Sequence, residues 1–145
     1  DMAREKYRSQ VPLKPGAREF LWELRRRGIR TGIASSNGME MIQTVLKAQQ
    51  VEALFDSVHT CCEVKRGKPS PDIYQLVASD LGVGEKECLV MEDIPMGLLA
   101  GRRAGMKTCA VEDDASRNQR EEKRRLADYY IQDYYDILRE SYEVL

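Results

Sequence analysis

The chain has 145 residues, 42% of them hydrophobic, and a formal net charge of −1. That is the length of one ordinary domain with room for a core. The near-neutral balance offers no electrostatic case for nucleic acid or an anionic membrane, and no apolar run approaches the roughly 20 residues of a membrane span.

Residues 1–10 are charged and helix-prone, with no apolar signal segment. Pro12 and Pro15-Gly16 then punctuate the chain. Ala17, Phe20, Leu21 and Leu24 follow at helical spacing, and Arg25, Arg26 and Arg27 close that helix before Gly28, a residue suited to the C′ position. The three arginines read as a solvated, dipole-favoured helix end. Residues 29–34 read as a short strand stopped by Ser35-Ser36-Asn37-Gly38, and Ile42, Val45 and Leu46 mark the next helix. Asn37 with Glu40 three residues later resembles a capping box. Residues 57–60 form another strand candidate. Then comes Gly67-Lys68-Pro69-Ser70-Pro71-Asp72, where Ser70 suits a cap and Pro71 the first helical position, ahead of a buried face of Ile73, Leu76, Val77 and Leu81.

The run Cys88-Leu89-Val90-Met91 ends abruptly in Glu92-Asp93, followed by Pro95 and Gly97. This is the pattern of a buried strand delivering two carboxylates to the tip of a sheet. Either the acids cap the following helix or they hold a hard divalent cation, since adjacent carboxylates repel without a cation nearby. Gly97, Ala100, Gly101 and Ala104 recur at helical spacing and read as close packing. Residues 106–111 are the next strand. Residues 112–125 are charged with alternating sign, read as a solvated helix or loop without chemistry. Residues 127–131 suggest a last edge strand, and 134–141 a short helix. The four cysteines, 61, 62, 88 and 109, match no zinc spacing and read as reduced thiols in a cytoplasmic protein. The single histidine, His59, has no evident partner, which argues against a Ser/His/Asp triad.

Helices and strands alternate throughout, the pattern of an α/β fold with an open parallel, Rossmann-like sheet flanked by helices. Polar groups fall at three successive strand-to-helix junctions, at Ser35, Lys68 and Glu92-Asp93. A hydroxyl at a helix N-terminus suits phosphate, and an ammonium beside carboxylates suits charge relief.

These junctions resemble those of the haloacid dehalogenase-like superfamily, close to the β-phosphoglucomutase-like phosphatases. Gly32-Ile33-Ala34-Ser35-Ser36-Asn37 is similar to that family's second motif, Gly67-Lys68-Pro69-Ser70-Pro71-Asp72 to its third, and Val90-Met91-Glu92-Asp93-Ile94-Pro95-Met96-Gly97 to its fourth. The resemblance implies phosphate binding by Ser35, helped by Ser36 and Asn37. It implies that Lys68 stabilises charge on nucleophile and phosphate. It also implies Mg2+ held directly by Asp93, and directly or through water by Glu92. The implied reaction is phosphoryl transfer through an aspartyl-phosphate, as phosphatase or phosphomutase, on a small phosphorylated metabolite such as a sugar phosphate.

The family's first motif, an Asp-x-Asp segment carrying the nucleophile and the acid/base, has no counterpart in this sequence. Residues 1–11 resemble the last helix and linker of the family's cap domain, and residues 12–145 its core. The expected core therefore lacks its first central strand. That leaves two strand edges to be completed by another segment, to self-associate, or to close by rearrangement. Two function classes follow. One is a metal-dependent phosphatase core, inactive without its nucleophile. The other is a non-catalytic binding or interaction module that keeps the shell of the site.

Overall fold

Short apolar runs become strands, and amphipathic stretches become helices laid across them. The computed structural model describes residues 14–145. The expectations for residues 1–11 lie outside the described residues. In chain order the elements are α1 (Ala17–Arg26), β1 (Gly32–Ser35), α2 (Met39–Ala48), β2 (Ser57–Thr60), α3 (Asp72–Leu81), β3 (Leu89–Glu92), α4 (Pro95–Arg103), β4 (Lys107–Val111), α5 (Arg120–Leu126), β5 (Tyr129–Ile131), α6 (Tyr135–Leu138) and β6 (Glu143–Val144). No helix among the described residues is long and apolar enough to cross a membrane.

The strands form the expected helix-flanked parallel arrangement, in two groups. β1 pairs with β2 in parallel, and β3, β4 and β5 pair in parallel in that order. Among the described residues no backbone ladder joins β1 to β3. β5 is not the last strand, because β6 pairs with it antiparallel and takes the edge. A two-residue strand of exposed residues carries no alternation from which a reading of the sequence could place it.

Side-chain alternation divides the core between two faces. Ile73, Tyr74 and Ala78 of α3 pack with Val90 of β3 and with Ala100 and Ala104 at the end of α4, and Ala34 of β1 joins the same cluster. Helix α3 thus covers both strand groups at once. On the opposite face, Leu21, Ile42 and Leu46 from α1 and α2 cover Ile33 and Val58, while Tyr134 and Ile137 cover Met91, Cys109, Val111 and Ile131. Phe20 stacks on Tyr134 with ring centroids 5.4 Å apart, which ties the first helix to the last.

Several local expectations shift by a residue or a turn. Gly38, not Asn37, precedes α2, and it offers no side-chain cap, so the capping box does not form. Helix α3 begins at Asp72 behind Pro71, one residue later than expected, and Ser70 Oγ donates to the Asp72 carboxylate at 2.8 Å instead of capping. The buried face of α3 is Ile73, Tyr74, Val77 and Ala78. The arginines at the end of α1 behave as expected. Arg26 and Arg27 pair with Glu23, while Arg25 donates to Ala53 O, and Gly28 takes the left-handed conformation at φ 74°.

The small stripe on α4 has a steric reason. A Cβ at Gly101 would lie 2.9 Å from Thr108 Cγ2 and 3.1 Å from Val90 Cγ2, so only glycine lets the helix sit this close to β3 and β4. Gly101→Val is expected to destabilise the fold by about 1–3 kcal/mol or more, read as a lower urea midpoint at unchanged slope.

Candidate active site

One ammonium joins the three strand-to-helix junctions. Lys68 lies in the loop before α3, next to a cis peptide to Pro69. Its Nζ donates to Ala34 O at 2.9 Å and to Glu92 Oε2 at 2.8 Å. Ala34 belongs to β1 and Glu92 ends β3, so the lysine spans the interval between the two strand groups. The Lys68 and Glu92 side chains are only 8% and 13% exposed. At that burial, stripping one partner leaves an uncompensated charge, at a cost of about 3–5 kcal/mol.

Tyr74, in the first turn of α3, completes this contact, and a reading of the sequence passes over it. Its hydroxyl donates to Glu92 Oε2 at 3.0 Å, and Lys68 Nζ lies 5.2 Å from its ring centroid. The ring face adds a cation–π attraction to the ion pair. The one available signal was a polar-tipped aromatic residue in an otherwise aliphatic helix face. Gly97, which the sequence reads only as close packing, also serves this contact. A Cβ there would overlap the Glu92 carboxyl group, so this glycine is required by the site and not only by packing.

Both Glu92 oxygens are therefore engaged, because Oε1 also accepts the Asp93 backbone N–H at 3.1 Å. Burial pushes the Glu92 carboxyl up, but Lys68 overrides it and holds the group below its ordinary value. Asp93 responds the other way. Burial, and then the neighbouring Glu92, push its carboxyl up to about 6. The two acids together thus carry more negative charge than Lys68 relieves. Their oxygen-only donor set suits a hard divalent cation. Among the described residues no group of three or more His, Cys, Asp or Glu side chains is placed to hold a metal ion.

The Ser35 cluster lies at the end of β1, one residue beyond the carbonyl that Lys68 grips. Ser35 is half-buried, and its Oγ accepts the Asn37 N–H at 3.0 Å, which shapes the turn into α2. Ser36 and Asn37 are exposed, and Cys61 Sγ lies 3.8 Å from Ser36 Oγ. Lys68 reaches the backbone of this cluster and not its hydroxyls. His59 sits apart from these contacts and does have partners. Its ring nitrogens lie 2.9 Å from Glu63 and 3.1 Å from Asp80, and the Glu63 contact does most to raise its pKa. Asp80 is distant in sequence, and only the packing of α3 on β2 brings it there. The four cysteines are free thiols, and burial pushes Cys109 up to about 12.

Two outcomes follow from this electrostatic balance. A carboxyl whose folded pKa exceeds its unfolded one costs stability above the folded pKa and gives it back as pH falls. In chelator, Asp93→Asn is therefore expected to be more stable than the parent at pH 8 by about 1–2 kcal/mol after allowance for solvent screening. The difference should shrink as pH falls through about 6 and vanish only below about pH 3, as read from urea titrations across that range. Gly97→Ala is expected to displace Glu92 and release the Lys68 ammonium, lowering the melting temperature by about 4 °C or more.

Comparison with known proteins identifies the family. Residues 2–105 match the model of the haloacid dehalogenase-like hydrolase family. The chain is 41% identical over 97 residues to hexitol phosphatase A of Escherichia coli, a match covering 67% of this chain and 44% of the relative. The crystal structure of CbbY from Rhodobacter sphaeroides in complex with phosphate superimposes with a TM-score of 0.85 at 24% identity, covering 92% of this chain and 60% of that one. A hydrolase from Pseudomonas syringae superimposes with a TM-score of 0.82 at 28% identity, covering 97% and 64%. The chain spans about half the length of the curated relatives it matches. The sequence match and the shared fold lead to one conclusion: this chain belongs to the haloacid dehalogenase-like hydrolases.

Proposed function

We propose that this chain forms the phosphate-binding and metal-holding part of a phosphatase that acts on small phosphorylated metabolites, with a sugar or polyol phosphate as the substrate class. The observation that carries the reading is the Lys68 ammonium, buried and held between Ala34 O and Glu92 Oε2 next to Asp93. The curated relatives named as phosphatases, hexitol phosphatases A and B among them, support the substrate class.

In this reading Ser35 and the neighbouring backbone N–H groups, with Ser36 and Asn37, receive the phosphate at the end of β1. Lys68 faces the transferring phosphoryl group from the side of β3 and offsets its charge. Tyr74 and Gly97 keep Lys68 and Glu92 in register, so that little reorganisation is needed as charge builds up. Mg2+, when bound, supplies charge neutralisation between nucleophile and phosphate. Asp93 fits a direct ligand. Glu92, with both oxygens already hydrogen-bonded, fits a role through water. The nucleophilic and acid/base aspartates belong to a strand that enters between β1 and β3 and pairs with both. The interrupted ladder there and the half-length match to the relatives support that placement.

The test is Mg2+-dependent hydrolysis of p-nitrophenyl phosphate by the 145-residue chain, alongside calorimetric titration with inorganic phosphate. Folded chain is expected to bind phosphate with Mg2+ present, to lose at least tenfold in affinity in Lys68→Met, and to show no turnover. Turnover that disappears in Asp93→Asn would place the nucleophile within this sequence. Folded chain that binds no phosphate would overturn the reading.

A further inference from the structure

The polar stretch after β4 is not the solvated segment its composition suggests. Ser116 and Lys123 are both buried, at 1% and 0% exposure. Lys123 lies on α5, and the proposed chemistry does not use it. No carboxylate oxygen lies within ion-pair distance of it among the described residues. Its Nζ donates instead to Val111 O at 2.7 Å and to Ser116 Oγ at 3.0 Å, with the Tyr130 ring centroid 5.6 Å away. An ammonium has three donors and no acceptor, so Ser116 Oγ can only accept from it. The single Ser116 proton must then go elsewhere. The Asp93 carbonyl lies 2.8 Å away and the Asp113 carbonyl 3.4 Å away, and the shorter contact has the better geometry.

We infer that Lys123 is a positioning residue that acts through Ser116 on the main chain of Asp93, setting the direction from which the Asp93 carboxylate meets a divalent cation. The ammonium orients the hydroxyl, the hydroxyl grips the carbonyl, and the carbonyl fixes the backbone at the junction of β3 and α4. A donor chain that starts from a charge polarises each following bond. The same ammonium ties down Val111, where β4 enters the loop, so that loop and the junction are held as one unit. The loop carries Asp113, which Lys14 pairs at 2.9 Å. A buried ammonium is costly to desolvate, and burial lowers the Lys123 pKa accordingly. A methionine of similar shape would satisfy the core more cheaply, so the charge calls for a purpose other than packing. The inference rests on the reading of Asp93 as a metal-holding residue.

The experiment has two readouts on the 145-residue chain. The first is the carbonyl 13C resonance of Asp93, which senses the hydrogen bond it accepts. Ser116→Ala removes the donor and is expected to shift it upfield. Lys123→Met leaves Ser116 in place and is expected to shift it in the same direction by a smaller amount. The second is Mn2+ affinity, followed by electron paramagnetic resonance. Ser116→Ala changes no charge and is expected to weaken Mn2+ three- to tenfold. Lys123→Met is expected to weaken it as well, although loss of a nearby positive charge would by itself strengthen it. A resonance that moves in Ser116→Ala but stays in place in Lys123→Met would overturn the relay. If Lys123→Met does not fold, an unchanged resonance and unchanged affinity in Ser116→Ala overturn it alone. Asp93→Asn separates the two readings. If it binds Mn2+ as the parent does, the metal assignment fails, while the carbonyl resonance still decides the relay.

Discussion

The structure turns on one buried charge, the Lys68 ammonium. Two parallel strand groups come side by side without a shared backbone ladder among the described residues, and the groups that touch both are helix α3 and this lysine. Helix α3 joins them by apolar contact, which is strong but gives no direction. Lys68 supplies direction, because an ammonium held by a carbonyl on β1 and a carboxylate on β3 fixes the position of both strand ends. At 8% exposure the interaction is neither screened by salt nor dispersed by water, unlike the exposed Arg–Glu pairs on the surface of α1.

The buried pair imposes further requirements. Glu92 must stay ionised in a poorly hydrated place, so it gathers a second donor from Tyr74 and a third from the Asp93 backbone. Its carboxyl group lies where a side chain on the next helix would otherwise go, so position 97 must be glycine. With Glu92 satisfied, the neighbouring Asp93 is the group that burial, and then Glu92, push up to about 6. Uneven relief of two adjacent acids leaves one saturated and one short of a partner, an arrangement that suits cation binding.

Much of this was legible in order along the chain. The alternation of helix and strand, the apolar faces of α1 and α2, and the three junctions at Ser35, Lys68 and Glu92-Asp93 follow from residue type and spacing. Resemblance of those junctions to a known set named the family that the comparisons show. The errors fell where local signals compete. Asn37 carried the signature of a cap, but the chain needed one more residue to turn out of β1, so Gly38 took that place. The charged stretch 112–125 looked solvated because composition averages over residues, whereas burial picks out single ones, here Ser116 and Lys123.

By itself the sequence determined the fold class, the order of the elements other than β6 and which polar residues stand at strand ends, because hydrophobic periodicity and helix-terminus chemistry are local. Only the tertiary structure decided that Lys68 reaches Glu92 across 24 positions, that Tyr74 and Gly97 hold that contact, that His59 has Asp80 for a partner, and that Lys123 lies buried against Ser116. Each of these depends on the distance at which a helix crosses a sheet. That distance is set by the volumes of residues far apart in the chain, such as Gly101 against Val90 and Thr108, and no local pattern encodes it.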